Sequence, residues 1–185
     1  MTACALSWPP ELLLRAQGIR VAFFDVDGVL TDGGLYFSAE GEALKRFHTL
    51  DGHGLKLLLR AGITPCVISG RDSAPLRLRL QTLGVQHLCL GTEDKLPAAE
   101  AMLAELDLTW AQAAAIGDDW PDLPLMTRAA FAAAPPGAHA EVLARAACVM
   151  ARPAGAGAAR EFCDLLLLAG GHYRRLFDAQ CGAAP

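Results

Sequence analysis

Two carboxylates one residue apart, Asp25 and Asp27, follow a short apolar run and precede Gly28. The run at 21–24 has the length and composition of a buried strand, and the glycine marks the turn that ends it. The two acids therefore lie at the carboxyl end of a strand, where open α/β sheets bind their ligands. Because neighbouring carboxylates repel each other, such a pair favours a hard cation such as Mg²⁺. A solvated acidic turn is the alternative for this stretch taken alone.

Further polar side chains occur where later strands are predicted to end. A serine follows the run 63–68, a lysine begins the helix after the run 85–90, and three aspartates follow the run 113–116. In a parallel sheet these groups project from one edge and converge. Carboxylates hold a divalent ion, whereas a hydroxyl and an ammonium group bind phosphate oxygens, so the set predicts a site for Mg²⁺ and a phosphoryl group. The residues concerned are Ser69, Lys95, Asp118, Asp119 and Asp122.

The hydrophobic pattern along the chain predicts strands that alternate with helices. This order indicates an α/β fold, a doubly wound parallel sheet with right-handed crossovers. Residues 33–48 predict a β-hairpin with a four- to five-residue loop, inserted after the first strand, which would cover the site or pair with another subunit. We expect one domain over residues 1–185, with an N-terminal extension at 1–19 and a C-terminal tail at 171–185. The remaining predicted helices are 11–16, 51–61, 73–83, 95–106, 123–127, 138–144 and 159–168, and the remaining strands are 130–133 and 148–150.

Composition excludes several classes of protein. The 185 residues are 53% hydrophobic, which is enough for a sizeable core in one domain. A net charge of −4 argues against a nucleic-acid partner held by phosphate contacts. The apolar run at 165–169 is too short to span a bilayer, and the N-terminus shows no secretory signal, so we expect a cytoplasmic protein without a membrane partner.

Six cysteines lie far apart in the sequence, and none forms a Cys-x-x-Cys pair. Several of them fall in apolar runs. We therefore interpret them as small core residues in a reducing compartment rather than as zinc ligands or disulfides. They are Cys4, Cys66, Cys89, Cys148, Cys163 and Cys181.

Four short sequences, in this order, resemble the four motifs of the haloacid dehalogenase superfamily of phosphatases. They read DVDGVLTD at 25–32, ISGR at 68–71, DK at 94–95 and IGDDWPD at 116–122. The closer resemblance is to its small members without a cap domain, the 3-deoxy-D-manno-octulosonate 8-phosphate phosphatases. It extends over about residues 20–168 and includes Gly41-Glu42, FHTLDGHG at 47–54 and GAGAAREFCDLLL at 155–167.

The resemblance implies a Mg²⁺-dependent hydrolysis in two steps. Asp25 is the implied nucleophile, which forms an aspartyl phosphate. Asp27 is the implied general acid for the leaving sugar oxygen and then the base for water. An aspartate at position 27 favours hydrolysis, because family members that retain the phosphoenzyme carry threonine there. The metal would be held by the Asp25 side chain, the Asp27 main-chain carbonyl and the Asp118 side chain, with Asp119 and Asp122 orienting these ligands and the catalytic lysine.

The implied substrate is an acidic eight-carbon sugar phosphate of the lipopolysaccharide precursor pathway. Ser69 and Lys95 would bind the transferring phosphoryl group, and Arg71 and Arg79 are the best candidates for the sugar carboxylate. Residues 48–52 would line the sugar site, although Asp51 is also a candidate N-cap of the following helix. The substrate-binding set implied in this way is Asp27, His48, Thr49, Leu50, Asp51, Gly52, Lys56, Arg71, Arg79 and Lys95.

The sequence departs from the family pattern at several positions. Ser69 replaces a commoner threonine, Leu50 and Lys56 stand where relatives often have arginine, and Ala154 replaces the first glycine of a glycine-rich loop. Relatives form tetramers in which the hairpins assemble and C-terminal residues reach a neighbouring site, so the resemblance implies a homotetramer. Gly155, Gly157 and Arg160 would take part in that assembly, and helix capping is the alternative role for these three residues.

Three other functions remain open. The same fold could act on another sugar-acid phosphate, such as a nonulosonate 9-phosphate, and the pocket residues do not separate the two. A phospho-accepting receiver domain fits poorly, because receivers pair two adjacent acids on the first strand with a lone acceptor on a later one. A non-catalytic assembly domain is disfavoured, because every expected catalytic residue type is present.

Overall fold

A computed structural model describes residues 6–182 of the chain. Its strands are β1 (Val21–Phe24), β2 (Tyr36–Ser38), β3 (Gly41–Leu44), β4 (Thr64–Ser69), β5 (His87–Leu90), β6 (Ala113–Ile116), β7 (Phe131–Ala134) and β8 (Cys148–Val149). Six of them form a sheet in the order β5-β4-β1-β6-β7-β8, and every neighbouring pair is parallel. The chain thus runs outward from β1 in one direction and then in the other, which confirms the doubly wound sheet.

Helices cover both faces of this sheet. One apolar cluster joins one face to α1, α2, α3 and α7, and a second joins the other face to α4, α5 and α6. The helices are α1 (Pro10–Arg15), α2 (Thr49–Ala61), α3 (Ala74–Leu83), α4 (Lys95–Glu105), α5 (Leu123–Met126), α6 (Ala140–Leu143), α7 (Ala158–Ala169) and α8 (Tyr173–Gln180). The last of these was not predicted, because it lies in the segment expected to be a tail.

The central strand supplies side chains to both clusters. Ala22 and Phe24 of β1 belong to the first cluster, and Val21 and Phe23 belong to the second. This is the two-residue alternation expected of a strand that is buried on both faces. Phe24 packs edge-on against Phe162 of α7, with ring centroids 5.5 Å apart. The strand is therefore fixed from both sides just before the two acids that follow it.

The segment after β1 folds as the predicted hairpin, but its loop is shorter than expected. Ser38 pairs with Gly41, so two residues rather than four or five connect β2 to β3. The Ser38 hydroxyl donates a hydrogen bond to Glu40 (2.7 Å) and accepts one from the Glu40 N–H (3.1 Å), which closes the turn within the loop itself. The hairpin is the insertion that follows β1, and residues 6–182 show no large cap domain at this position.

The start of α2 differs from the prediction. The helix begins at Thr49, and its N-cap is His48, whose Nδ1 accepts a hydrogen bond from the Leu50 N–H (3.2 Å). Asp51, a candidate N-cap in the sequence, already lies inside the first turn, and its carboxylate accepts hydrogen bonds from N–H groups at the start of α7. Gly62 ends the helix in the left-handed region at φ 78°, as the sequence indicated.

Five described cysteines are free thiols, and their burial varies. Cys66 and Cys163 are buried in the two apolar clusters, where burial raises the pKa of each thiol, that of Cys66 to about 12. Cys181 is exposed, which corrects its interpretation as a core residue, and Cys4 lies outside the described residues. Among residues 6–182, no helix combines the length and apolar character that a membrane span requires.

Candidate active site

A cleft of about 400 Å³ opens at the carboxyl ends of β1, β4 and β6. It lies where the strand order reverses, which is where doubly wound sheets bind ligands. The structure brings together here all seven acidic, hydroxyl and lysine side chains that the strand ends predicted, with Arg71 at the rim. The lining residues are Asp25, Asp27, Ser69, Gly70, Arg71, Glu93, Lys95, Asp118, Asp119, Pro121 and Asp122.

Two glycines allow the acidic loops to approach each other. Gly28 has φ 97°, and a Cβ atom built there would lie 2.0 Å from Oδ2 of Asp118. A Cβ atom on Gly117 would lie 2.3 Å from the Cβ of Asp122. Any larger residue at either position would push these carboxylates apart, so the glycines that follow β1 and β6 are part of the site.

Lys95 is the cation at the base of the cleft. Its side chain is buried, and Nζ contacts Oδ1 of Asp25 and lies 2.7 Å from Oδ1 of Asp122. Burial acts to lower the pKa of Lys95, but the charges of Asp25 and Asp122 outweigh it and raise this pKa above its ordinary value. The lysine thus stays protonated and holds Asp25 at the end of β1.

Three of the carboxylates are close enough to share a cation. One oxygen from each of Asp25, Asp118 and Asp122 lies within 4.8 Å of the others. Burial, followed by the charge of Asp122, raises the pKa of Asp25 to about 6, and burial with the charges of Asp25 and Asp122 raises that of Asp118 to about 8. Carboxylate oxygens are the ligands that Mg²⁺ prefers, and a divalent ion would relieve this repulsion, so the residues fit the metal.

Asp122 has partners of its own besides any metal. Its Oδ1 binds Lys95, and its Oδ2 accepts hydrogen bonds from the N–H groups of Asp118 (3.0 Å) and Asp119 (3.3 Å). It therefore orients both the lysine and the loop that carries Asp118. Asp119, assigned the same role from the sequence, instead uses its carboxylate to accept a 2.8 Å hydrogen bond from the Trp120 N–H.

Asp27 is bound through one carboxylate oxygen. Its Oδ1 accepts hydrogen bonds from Thr31 Oγ1 (3.2 Å) and from Lys45 Nζ (2.5 Å). Its Oδ2 is buried without a hydrogen-bond partner, and Nε of Arg71 lies 4.0 Å away. No pattern in the sequence points to Lys45, because a lysine at the end of a hairpin is ordinarily solvated. The contact depends on how the hairpin folds back, which no local pattern reveals.

Ser69 and Arg71 border the cleft on the side of β4. Ser69 is buried at the end of the strand, and its Oγ accepts a 3.2 Å hydrogen bond from the Arg71 N–H. The Arg71 side chain is 45% exposed and reaches toward Asp27. Glu93 lies near Gly70 on the same rim. A hydroxyl, a lysine and an arginine thus surround the acids, which suits a phosphoryl group and an anionic substituent.

The remaining predicted substrate-binding residues lie outside this cleft. His48, Asp51, Gly52 and Arg79 line a separate small cavity, with Phe47 beside them. The guanidinium of Arg79 stacks on Phe47, with Cζ 5.9 Å from the ring centroid, and its buried Nε has no hydrogen-bond partner. Thr49, Leu50 and Lys56 are exposed on α2.

The glycine-rich loop before α7 packs against residues 25–32, the loop after β1 that carries Asp25 and Asp27 and is here named the catalytic loop. The N–H of Gly155 donates a 3.0 Å hydrogen bond to the carbonyl of Val29, and Gly155 has φ 59°. A Cβ atom there would lie 2.4 Å from the backbone nitrogen of Asp32. Gly157 and Arg160 donate their N–H groups to Asp51 instead (3.2 and 2.8 Å). Within one chain, this loop therefore supports the segment that follows β1.

Comparison with known proteins gives a consistent result. The chain is 42% identical over 159 residues to a 3-deoxy-D-manno-octulosonate 8-phosphate phosphatase of Yersinia pestis, a match covering 86% of this chain and 85% of that protein. It is 39% identical over 161 residues to the phosphatase of the same name from Escherichia coli K12, covering 87% and 86%. The chain matches no protein-family model.

Solved structures agree with the sequence relatives. The crystal structure of the Yersinia pestis phosphatase has a TM-score of 0.86 at 40% identity and covers 89% of each chain. A phosphatase of the same name from Moraxella catarrhalis, solved with magnesium, phosphate and KDO, has a TM-score of 0.88 at 34% identity, covering 92% of this chain and 98% of that one. A haloacid dehalogenase superfamily hydrolase from Legionella pneumophila has a TM-score of 0.88 at 39% identity, covering 93% and 94%.

Proposed function

The chain belongs to the 3-deoxy-D-manno-octulosonate 8-phosphate phosphatases of the haloacid dehalogenase superfamily, and on that premise we propose its reaction and the roles of its residues. It hydrolyses 3-deoxy-D-manno-octulosonate 8-phosphate to the free sugar acid and phosphate with Mg²⁺, in lipopolysaccharide precursor biosynthesis. The observation that carries the proposal is the convergence of Asp25, Asp27, Ser69, Lys95 and Asp118 in one cleft at the strand ends.

In the first step, a carboxylate oxygen of Asp25 attacks phosphorus while the bond from phosphorus to the sugar oxygen breaks. Asp27 gives a proton to that leaving oxygen. In the second step, Asp27 takes a proton from water, which attacks phosphorus and releases Asp25 and phosphate. Contact with the buried Lys95 supports the first assignment, because the cation holds the Asp25 carboxylate at the base of the cleft.

The proposed Mg²⁺ ligands are the side chains of Asp25 and Asp118 and the main-chain carbonyl of Asp27. The ion supplies charge neutralisation for the phosphoryl oxygens. Asp122 supports this set by holding the Asp118 loop and Lys95 through hydrogen bonds. Asp119 caps the turn at 120–122, and we propose that it supports the metal ligands by stabilising that turn.

Ser69 and Lys95 are proposed to bind the transferring phosphoryl group, and Arg71 the carboxylate of the sugar acid. The exposure of the Arg71 side chain at the rim supports this, because an anionic substituent can reach it from solvent. His48, Asp51, Gly52 and Arg79 line a separate small cavity rather than the cleft, and we propose that they form the wall behind the sugar site.

We also propose that residues 1–185 form one domain and act as a cytoplasmic homotetramer. The five free thiols within residues 6–182 support a reducing compartment. The hairpin supports assembly, because apolar side chains on it are exposed in the single chain, which is typical of an interaction surface. These are Leu35, Tyr36, Phe37 and Leu44.

Phosphate release from a panel of sugar phosphates, with Mg²⁺ and with EDTA, tests this function. The panel contains 3-deoxy-D-manno-octulosonate 8-phosphate, a nonulosonate 9-phosphate and hexose phosphates. We expect Mg²⁺-dependent preference for the first. Preference for the nonulosonate would keep the mechanism and change the substrate, and absence of release from every compound would contradict the hydrolase assignment. Light scattering of the same sample measures the assembly.

A further inference from the structure

Lys45 is a hairpin cation that contacts a carboxylate of the cleft, and neither the family motifs nor the strand ends singled it out. It follows β3, and its side chain is 1% exposed. Nζ lies 2.5 Å from Oδ1 of Asp27 and 3.2 Å from Oε1 of Glu42. A lysine is rarely buried unless it is paired, so this placement indicates a specific role.

The contact belongs to a network that joins three parts of the chain. Ser73, at the start of α3, donates a 2.9 Å hydrogen bond to the same Oε1 of Glu42. Glu42 lies on β3 and orients Lys45 toward the catalytic loop. Thr31, within that loop, donates a second hydrogen bond to Oδ1 of Asp27. Lys45 therefore links two carboxylates, Glu42, which the β4–α3 connection also binds, and Asp27 of the catalytic loop.

The two oxygens of Asp27 are consequently not equivalent. Oδ1 accepts hydrogen bonds from Lys45 and Thr31, whereas Oδ2 is buried and has no hydrogen-bond partner. Two donors on one oxygen fix the rotation of a carboxylate, and the second oxygen, which lies 4.0 Å from Nε of Arg71, keeps its hydrogen-bonding capacity for a ligand in the cleft that Asp27 lines. A buried polar atom without a hydrogen-bond partner is uncommon, so we infer that a bound ligand supplies the partner of this oxygen.

We propose that Lys45 is a positioning residue for the step in which Asp27 gives its proton to the leaving oxygen, and this proposal rests on the proposed function. It holds Oδ1 of Asp27 so that Oδ2 faces the leaving oxygen of the substrate. The proton passes from Oδ2 to that oxygen as its bond to phosphorus breaks and the bond from Asp25 to phosphorus forms. Lys45 itself touches Asp27 and Glu42 and acts through the first of them.

Two aryl phosphates of similar shape measure this role without involving the sugar site. p-Nitrophenolate leaves without a proton, whereas the p-methylphenolate ion is a poor leaving group and needs the acid. In Lys45→Met we expect kcat/KM for p-methylphenyl phosphate to fall about 10- to 100-fold, and that for p-nitrophenyl phosphate to change less than about threefold. Asp27→Asn should show the same selective loss.

Arg46→Met is the matched control. Arg46 is the next residue, and it also ties the hairpin to the catalytic loop, through a 3.1 Å ion pair with Asp32, but it does not touch Asp27. We expect this variant to keep the wild-type ratio between the two substrates. If the ratio of kcat/KM for the two substrates changes in Arg46→Met as much as in Lys45→Met, hairpin anchoring alone explains the effect and the proposal is wrong.

An equal loss of kcat/KM for both substrates in Lys45→Met, or no loss for either, would also overturn the proposal. Lys45→Gln is the second variant, because it keeps a donor near Oδ1. If the methionine variant does not fold, the ratio of kcat/KM for the two aryl phosphates is measured in Lys45→Gln instead and tests the positioning role. The proposed function is tested separately by the wild-type protein on 3-deoxy-D-manno-octulosonate 8-phosphate. If the wild-type protein does not hydrolyse that sugar phosphate, the comparison of the two aryl phosphates can still be interpreted.

Discussion

The carboxylate of Asp51 accepts a 2.8 Å hydrogen bond from the backbone N–H of Arg160, 109 residues further along the chain. Its other oxygen accepts one from the N–H of Gly157 (3.2 Å). These are N–H groups at the start of α7, which have no partner within that helix. Asp51 therefore caps α7 from inside α2, and the side chain is buried by this contact.

Asp51→Ala should reduce stability rather than substrate binding. The change leaves one buried and one partly buried N–H group without acceptors, which costs about 1–3 kcal/mol in the free energy of unfolding. We expect KM for the sugar phosphate to stay unchanged, because Asp51 lies outside the cleft. Urea unfolding and steady-state kinetics measure the two quantities.

Glu141→Ala is the control for this change. It removes an exposed carboxylate whose ion pair with Arg145 lies on the surface, so its effect on stability should be within about 1 kcal/mol. A raised KM with unchanged stability in Asp51→Ala would instead favour the substrate-binding role that the sequence implied.

Asp25→Asn should abolish turnover with little loss of folding. The amide cannot attack phosphorus, and it removes one of three mutually repelling carboxylates, which offsets the lost contact with Lys95. Phosphate release and thermal unfolding measure the effects. Asp32→Asn, on the same loop but exposed and paired with Arg46, should keep its activity. Near-normal turnover by Asp25→Asn would refute the nucleophile assignment.

The sequence predicted the sheet and the convergence of the acids because both depend on local patterns. Mostly apolar runs of four to six residues, each followed by a polar group, mark the strand ends, and parallel order places those ends together. Asp25 and Asp118 lie where this reasoning places them.

Contacts that depend on the return of distant segments were not predictable in this way. Asp51 has the spacing of an N-cap for its own helix, and its actual partners lie on α7. Lys45 has the sequence setting of a solvated lysine, and it becomes buried only because the hairpin folds back over Asp27. The hairpin also has a two-residue turn, which is shorter than the sequence indicated.

The stability of the metal-free protein should fall as the pH rises. Burial and the charges of Asp25 and Asp122 raise the pKa of Asp118 to about 8, from 3.8 in the unfolded chain. The folded state thus binds this proton more tightly, and the resulting stabilisation is lost between about pH 4 and pH 8. Asp118→Asn has no such proton, so its Tm in EDTA should depend less on pH than that of the wild type. Equal pH slopes for the two proteins would contradict this.

Mg²⁺ affinity should rise over the same pH range. The metal binds the deprotonated carboxylates of Asp25 and Asp118, so it competes with their protons and releases them. Calorimetry at pH 6 and pH 8, in buffers of different ionisation enthalpy, measures both the affinity and the protons released. A pH-independent affinity would exclude these two side chains as the coupled ligands.

Gly155→Ala should impair the catalytic loop although Gly155 does not line the cleft. Its φ of 59° disfavours any other residue, and a Cβ atom would lie 2.4 Å from the backbone nitrogen of Asp32, so one of the two loops must move. The displaced segment includes Thr31, which holds Asp27 through Oδ1. We expect a loss of about 1–3 kcal/mol in stability and a lower kcat in the folded fraction. Gly137→Ala has open space around its Cβ atom and should behave as wild type. If both variants behave alike in unfolding and kinetics, the glycine-rich loop does not support the catalytic loop.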